Sequence, residues 1–268
     1  MGRIIASLNE KGGVAKTTTV KNLSIALAML GKKVLVVDLD PSANLTKALG
    51  IEEDMINESI CDVFDKGMEG EDVSNDFAII KHEEGIDVIA SVNDLHDYEI
   101  KLALAFQRET LLRSFLMALK SEYDYIFLDC PGGLGLLTIN ALFAADAVII
   151  PVAPQYLSVE SMQVLFKRIY QIRKLNGTGK KPELIGILFT MVRINTNNDK
   201  QIMASLREAY EKVNVPIFEA TIPQNVKIPE SDSYGLSIYK YAPKTSASMV
   251  HMEFVNEFLE REKLLEHR

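Results

Sequence analysis

The chain has 268 residues, 47% of them hydrophobic and 25% charged, and its formal net charge is −8. That length and apolar content suit one large α/β domain with a full core, and the acidic balance argues against wholesale coating of nucleic acid while leaving room for a local basic patch. No apolar run approaches the ~20 residues of a membrane-spanning helix, the N-terminus enters a strand without a secretory signal pattern, and two cysteines, Cys61 and Cys130, are too few for a disulfide framework, so a reducing cytoplasm is expected.

The first strand-like run is 3–8, followed by Asn9-Glu-Lys-Gly-Gly-Val-Ala-Lys-Thr-Thr-Thr19 and a helix-like run over 17–30 that stops at Gly31. A strand feeding a glycine-rich turn that opens into a helix is a phosphate cradle. Gly12 and Gly13 let the backbone approach a phosphate closely, and the amides that follow, from Val14 to Thr18, supply donors at the positive end of the helix dipole. Lys16 can reach terminal phosphates and the Thr17 hydroxyl can ligate Mg²⁺. A nucleoside triphosphate is the expected guest.

Val34–Asp38 reads as a buried strand, with Asp38, Asp40 and Pro41 at the C-terminal end, where ligands sit in open α/β sheets. Two carboxylates there can organise the water shell of Mg²⁺ and an attacking water. Residues 52–85 are acidic and less regular, and are expected to form short helices and loops over one edge of the sheet. A strand over 86–90 and helices over 95–105 and 109–120 come next. The strand over 124–129 ends in Asp129, placed to bind the Mg²⁺ water shell, and Cys130 reads as a small buried residue.

A helix over 135–144, a strand over 147–151, a helix over 157–175, a surface loop around Gly177–Pro182, a strand over 184–191 and helices over 198–212 and 245–265 complete the pattern. Alternating strands and helices predict a mainly parallel twisted sheet flanked by helices on both faces, in a single domain spanning 1–268. In the last helix Met249, Met252, Val255, Phe258 and Leu259 recur at helical spacing while the polar positions are rich in glutamate. Anionic lipid repels such a face, so this helix is expected to pack on the domain and no membrane partner is expected. His251 and His267 lack ligand spacing and are given no metal role.

The phosphate loop departs from Gly-x-x-x-x-Gly-Lys-Ser/Thr, because Glu10 and Ala15 stand at the two glycine positions. What fits is Lys-Gly-Gly-x-x-Lys-Thr, with the extra Lys11. Together with Asp38-Leu-Asp-Pro41, Asp129-Cys-Pro-Gly-Gly133, Gly135–Leu142, Ile150–Glu160, Gly186–Val192 and Ile222–Gly235, in that order, the chain resembles the ParA/Soj partition ATPases, deviant Walker A members of the ParA/MinD branch of P-loop ATPases. The resemblance runs almost end to end and implies the P-loop NTPase fold. It implies an ATP-dependent homodimer that sandwiches two ATP molecules, with Lys11 crossing to the partner's ATP and Lys16 holding phosphates. Thr17, Asp38 and Asp129 would organise Mg²⁺, and Asp40 would position the attacking water. Met191, Pro223 and Asn225 would lie near the adenine.

The same resemblance implies slow hydrolysis stimulated by a ParB-like centromere-binding protein, nonspecific DNA binding by the ATP dimer, and association with the nucleoid. The chain is similar to the short, Soj-like members, which would not read operator sequence themselves. Two arginines common on the DNA face of the family align with Asn195 and Gln224, but Arg193, Lys200, Lys227, Lys240 and Lys244 could rebuild a phosphate-binding patch, since such contacts need charge more than position. An alternative is a MinD-like or cargo-positioning ATPase that recruits a protein or membrane. A metabolic enzyme of the same superfamily is a more distant reading. Two further departures are Gly132, where the family has a second proline, and Ala15, which costs on the order of 1 kcal/mol if its backbone must take a positive φ.

Overall fold

The computed structural model of the chain describes residues 2–154, 159–176 and 181–266. Among these, eight strands form one sheet: β1 (Arg3–Ser7), β2 (Val34–Asp38), β3 (Ile80–Lys81), β4 (Asp87–Ile89), β5 (Tyr125–Asp129), β6 (Ala147–Val152), β7 (Glu183–Val192) and β8 (Ile217–Pro223). Their order is β3-β4-β2-β5-β1-β6-β7-β8. Every pairing is parallel except that of β3 with β4.

The central strands are apolar throughout because both faces are covered. Alternation sends Ile4, Leu35, Val37, Ile126 and Leu128 into one core, where they meet α3 (Ile60–Glu69), α5 (Leu111–Leu119), α6 (Leu136–Ala144) and α7 (Val159–Leu175). Ile5, Val34, Val36, Tyr125 and Phe127 enter the other core, against α1 (Lys16–Met29) and α11 (Ser246–Glu266). Register then places the chemistry: Asp129 at the end of β5 lies opposite both Ser7 of β1 and Asp38 of β2. Three C-terminal strand ends therefore meet at one point of the sheet, where the loop after β1 begins.

The parallel sheet covered on both faces agrees with the sequence. Several elements differ. The acidic stretch holds the regular helix α3, started by a reciprocal cap between Ser59 and Asp62 and stopped by left-handed Gly70, as well as β3 at the sheet edge. The predicted helix over 95–105 is a 3₁₀ turn at Asn93–Asp97 followed by α4 (Tyr98–Leu104). Three short helices were not expected: α2 (Asn44–Ala48), α9 (Lys227–Ser233) and α10 (Ile238–Tyr241). Neither was β8, whose edge position leaves Glu219 exposed and its alternation mixed. The helix α8 (Asn197–Glu211) lies where a helix was predicted.

In α11 the packed face is Ala247, Phe254, Val255 and Phe258, whereas Met249 points to solvent. That helix packs on the domain as expected, and among the described residues no helix is long and apolar enough to cross a membrane. Residues 155–158 of the Ile150–Glu160 motif, 177–180 of the expected surface loop, and His267 lie outside the described residues.

Candidate nucleotide site

The loop after β1 is held by its own backbone and by two neighbouring strands. The Asn9 amide donates to the Pro151 carbonyl (2.8 Å), and its Oδ1 accepts from the Lys11 amide (3.0 Å). Thr190 of β7 donates its hydroxyl to the Val14 carbonyl (2.9 Å). Gly13 is left-handed, and so is Ala15, at φ 61° and ψ 34°. The conditional cost of Ala15 is therefore present: a left-handed non-glycine residue costs about 1 kcal/mol. A Cβ at Gly12 or Gly13 would meet nothing within 4 Å, so open space lies on the ligand side of the loop. No side chain caps α1, which leaves its first amides facing that space. Lys16 is buried and curls back, its Nζ donating to the Lys11 carbonyl (3.2 Å).

Behind the loop stand two fully buried carboxylates. Asp129 Oδ2 accepts from the Thr17 hydroxyl (2.7 Å), while its Oδ1 is buried without a hydrogen-bond partner. Asp38 Oδ2 accepts from the Thr46 amide (2.9 Å) and hydroxyl (2.8 Å), and its Oδ1 from the Asp40 amide (3.1 Å). Burial pushes the Asp38 carboxyl up to about 6, against these hydrogen bonds. Burial, followed by the charge of Asp38, raises Asp129 well above the ordinary carboxylate range. An orphaned buried oxygen on one of two neighbouring buried carboxylates is a place where a cation would be stabilising. Among the described residues no three His, Cys, Asp or Glu side chains gather to hold a metal alone. That suits Mg²⁺, which keeps waters and takes phosphate oxygens alongside few protein ligands.

Asp40 is half-buried beside them. Its Oδ1 accepts from the Ser42 amide (3.0 Å) and hydroxyl (2.7 Å), and its carbonyl accepts from the Ser91 hydroxyl (2.8 Å). The loop after Asp129 passes close to the phosphate loop: a Cβ on Gly132 would lie 3.6 Å from the Gly12 nitrogen. That loop ends at α6, whose first amides, Leu136 and Leu137, donate to the Glu99 carboxylate of α4 (2.7 and 3.2 Å).

A cavity of about 750 Å³ opens over these groups. Gly12, Gly13, Ala15, Lys16, Thr17 and Thr18 line one end, Asp40, Asn44 and Lys47 one side, and Met191, Pro223, Asn225, Pro229, Asp232 and Ser233 the other end. A wider groove of about 910 Å³ lies at the opposite end of the sheet, where β7 starts, and contains none of the motif residues.

A family model described as an AAA domain matches residues 2–181. The sporulation initiation inhibitor protein Soj of Bacillus subtilis is 37% identical over 257 residues, covering 96% of this chain and 98% of Soj. The chromosome partitioning protein ParA of Caulobacter vibrioides (strain NA1000 / CB15N) is 33% identical over 263 residues, covering 97% and 95%. The chain belongs to the ParA/Soj family. A solved structure from Mycobacterium smegmatis, described as cobyrinic acid a,c-diamide synthase with bound ATP analog and magnesium, superposes with a TM-score of 0.80 at 29% identity, covering 98% of this chain and 96% of that one.

As a ParA/Soj member the chain gathers most of the residues its motifs single out. Met191, Pro223 and Asn225 line the far wall of the cavity, opposite the phosphate loop. Val14 does not line it: its side chain is buried and only its backbone belongs to the cradle. Lys11 is half-exposed next to Gly12, while Asp38 and Asp129 stand behind Thr17. Sequence reasoning missed Asn44, Lys47, Gln224, Pro229, Asp232 and Ser233 on the cavity wall. Helix α2 supplies the first two, and its brevity left no periodic signal.

The five basic residues expected to serve DNA differ in availability. Arg193 pairs with the buried Asp199 (2.7 Å), holding that carboxyl down at about 2, Lys227 pairs with Glu230 (2.7 Å), and Lys240 with Glu83 (2.6 Å). Lys200 and Lys244 are exposed. Cys130 is fully buried, and burial pushes its thiol up, in keeping with a small packed residue.

Proposed function

We propose that the chain is an ATP-hydrolysing switch for DNA partitioning. The carrying observation is the convergence, on one cavity, of the uncapped phosphate loop, the Thr17–Asp129 hydrogen bond and Asp40. Kinship with Soj and with a chromosome partitioning protein gives that site its biological setting, and the related M. smegmatis structure holds an ATP analog and magnesium. In this reading the loop amides and Lys16 hold the triphosphate and neutralise charge that develops in the transition state. Thr17 and, behind it, Asp129 and Asp38 would hold Mg²⁺ and its waters, and when bound the ion would supply charge neutralisation for the phosphate oxygens. Asp40 orients the water that attacks the terminal phosphorus, displacing ADP.

Lys11, half-exposed at the mouth, would reach the nucleotide of a second copy in an ATP-dependent homodimer. Hydrolysis would be slow alone and stimulated by a ParB-like centromere-binding protein, and the ATP dimer would hold nonspecific DNA in the cytoplasm, at the nucleoid. The test is binding to long nonspecific DNA at low and moderate salt with ATP–Mg²⁺, ADP–Mg²⁺ or no nucleotide, using Asp40→Ala to slow turnover. Salt-sensitive binding with ATP alone is the expected result.

A second reading has a specific observation behind it. Three of the five candidate DNA-binding cations are already paired with carboxylates, and Asn195 and Gln224 stand where the family commonly has arginine. Dimerisation with ATP but no DNA binding would favour a positioning ATPase that recruits a protein.

A further inference from the structure

Lys21 is among the largest fully buried side chains of the described residues, and it is charged. It sits on α1 one turn beyond Thr17. An ammonium has three donors, and all three are used: on Asp232 Oδ1 of α9 (2.5 Å), on the Leu236 carbonyl just after α9 (2.8 Å), and on the Ala48 carbonyl at the end of α2 (3.2 Å). Asp232 and Ala48 both line the nucleotide cavity. One cation therefore joins the helix that carries the phosphate-binding residues, the helix that follows Asp40, and the cavity wall that α9 forms.

The surroundings make this a junction. Gly50 and Gly235, both left-handed, touch backbone to backbone, and a Cβ on Gly235 would lie 2.6 Å from Gly50 Cα. Asn22, next to Lys21, accepts from the Ile238 amide (3.1 Å), and Glu84 accepts from the Ser237 amide (2.7 Å). Burying a lysine is expensive, and an apolar side chain of similar volume would stabilise the core at least as well. Its stabilising contribution alone does not account for the ammonium; the three acceptors, two of them on cavity-lining residues, do.

We propose that Lys21 is a positioning residue for the nucleoside half of the nucleotide, holding α9 against α1 and α2 so that the far wall of the cavity is preformed. The inference rests on the cavity being a nucleotide site. Releasing α9 weakens contacts to base and ribose and leaves the phosphate cradle, which depends on Asn9, Thr190 and its own backbone, as it was.

Two probes separate these halves on the full-length protein: ADP–Mg²⁺, which needs both, and inorganic tripolyphosphate–Mg²⁺, which needs only the cradle. Their affinities are measured calorimetrically for wild type, Lys21→Met and Asp232→Asn. In Lys21→Met the ADP Kd rises about tenfold or more, as expected when a buried charged tie is lost, while the tripolyphosphate Kd stays within about twofold. Asp232→Asn moves in the same direction by less, and the double variant is no worse than Lys21→Met, because both changes remove one interaction. Equal weakening of both probes, unchanged ADP binding, or additive effects overturn the proposal. If Lys21→Met does not fold, Asp232→Asn decides on the same criterion, ADP weakened and tripolyphosphate not. A wild type that binds neither probe overturns the nucleotide reading and this role with it, whereas normal wild-type binding without selective loss overturns the role of Lys21 alone.

Discussion

The two ends of the cavity are built in opposite ways. The phosphate end is local: one strand, one turn and one helix, contiguous from Arg3 to Met29, with the turn pinned to its neighbours by Asn9 and Thr190. The far end is assembled from the ends of β7 and β8 and from α9, segments far apart in the chain from the phosphate loop, and the buried cation of Lys21 ties α9 to α1 and to the end of α2. A local site needs little tertiary support to recognise a phosphate, since backbone amides and one lysine do most of the work. A dispersed wall has to be locked in place, or ordering it on binding consumes the affinity it provides.

The sharpest way to break this contrast is at the local end. Lys16→Ala should lower ATP turnover by on the order of 100- to 1000-fold, the scale for removing a charge that faces the transferring phosphoryl group, in a steady-state phosphate-release assay. Unchanged turnover would remove Lys16 from the site. Asp40→Ala should lower kcat by about 100-fold while leaving ATP affinity near wild type, because a water-orienting group acts on the chemical step. A loss confined to KM would assign Asp40 to binding instead.

Smaller effects concern stability at the same end. Glu99→Ala leaves the first amides of α6 without their acceptor and should cost about 1 to 2 kcal/mol in denaturant unfolding. The buried carboxylates make a pH prediction with a definite sign. Burial holds the Asp38 carboxyl at about 6 and the Asp129 carboxyl well above the ordinary carboxylate range. The folded state therefore binds more protons than the unfolded one, so this contribution is complete below the unfolded value and is lost as pH rises through about 6. The Tm of the nucleotide-free protein should rise as pH is lowered from 7 towards about 4, and Asp38→Asn should flatten that rise. At lower pH Asp199, held down at about 2, works in the other direction and its stabilisation is lost. The smallest expected change is Ala15→Gly. It relieves a left-handed alanine but adds backbone freedom to the unfolded chain, for a net gain below about 1 kcal/mol; a loss would mean that the Ala15 methyl packs favourably.

Much of the site was legible in the chain. The phosphate loop, Asp38, Asp40 and Asp129 each sit where a buried strand ends, and a strand's end can be read from a few adjacent residues. The resemblance to ParA/Soj ATPases added Met191, Pro223 and Asn225, which no local pattern would have singled out. Lys21 stayed invisible because a lysine in a helical run reads as a solvated position, and only the packing of α2, α10 and α11 on α1, with Asp232 of α9 and the Leu236 carbonyl on its ammonium, buries it. The edge strand β8 was missed for the converse reason: with Glu219 exposed and partial burial on either side, Ile217–Pro223 lacks the apolar run of a central strand.

By itself the sequence determined the alternation of elements, the parallel sheet and the phosphate chemistry, because all three depend on neighbours within one strand–turn–helix unit. Tertiary structure alone decided that Lys240 is spent on Glu83 and that Lys21 is buried as a tie to Asp232, whereas Lys227 and Arg193 pair with carboxylates three and six residues along the chain. Charge is a property of a residue, but its availability is set by the groups the fold brings within hydrogen-bonding range, and no spacing along the chain encodes partners as distant as Glu83 for Lys240 or Asp232 for Lys21.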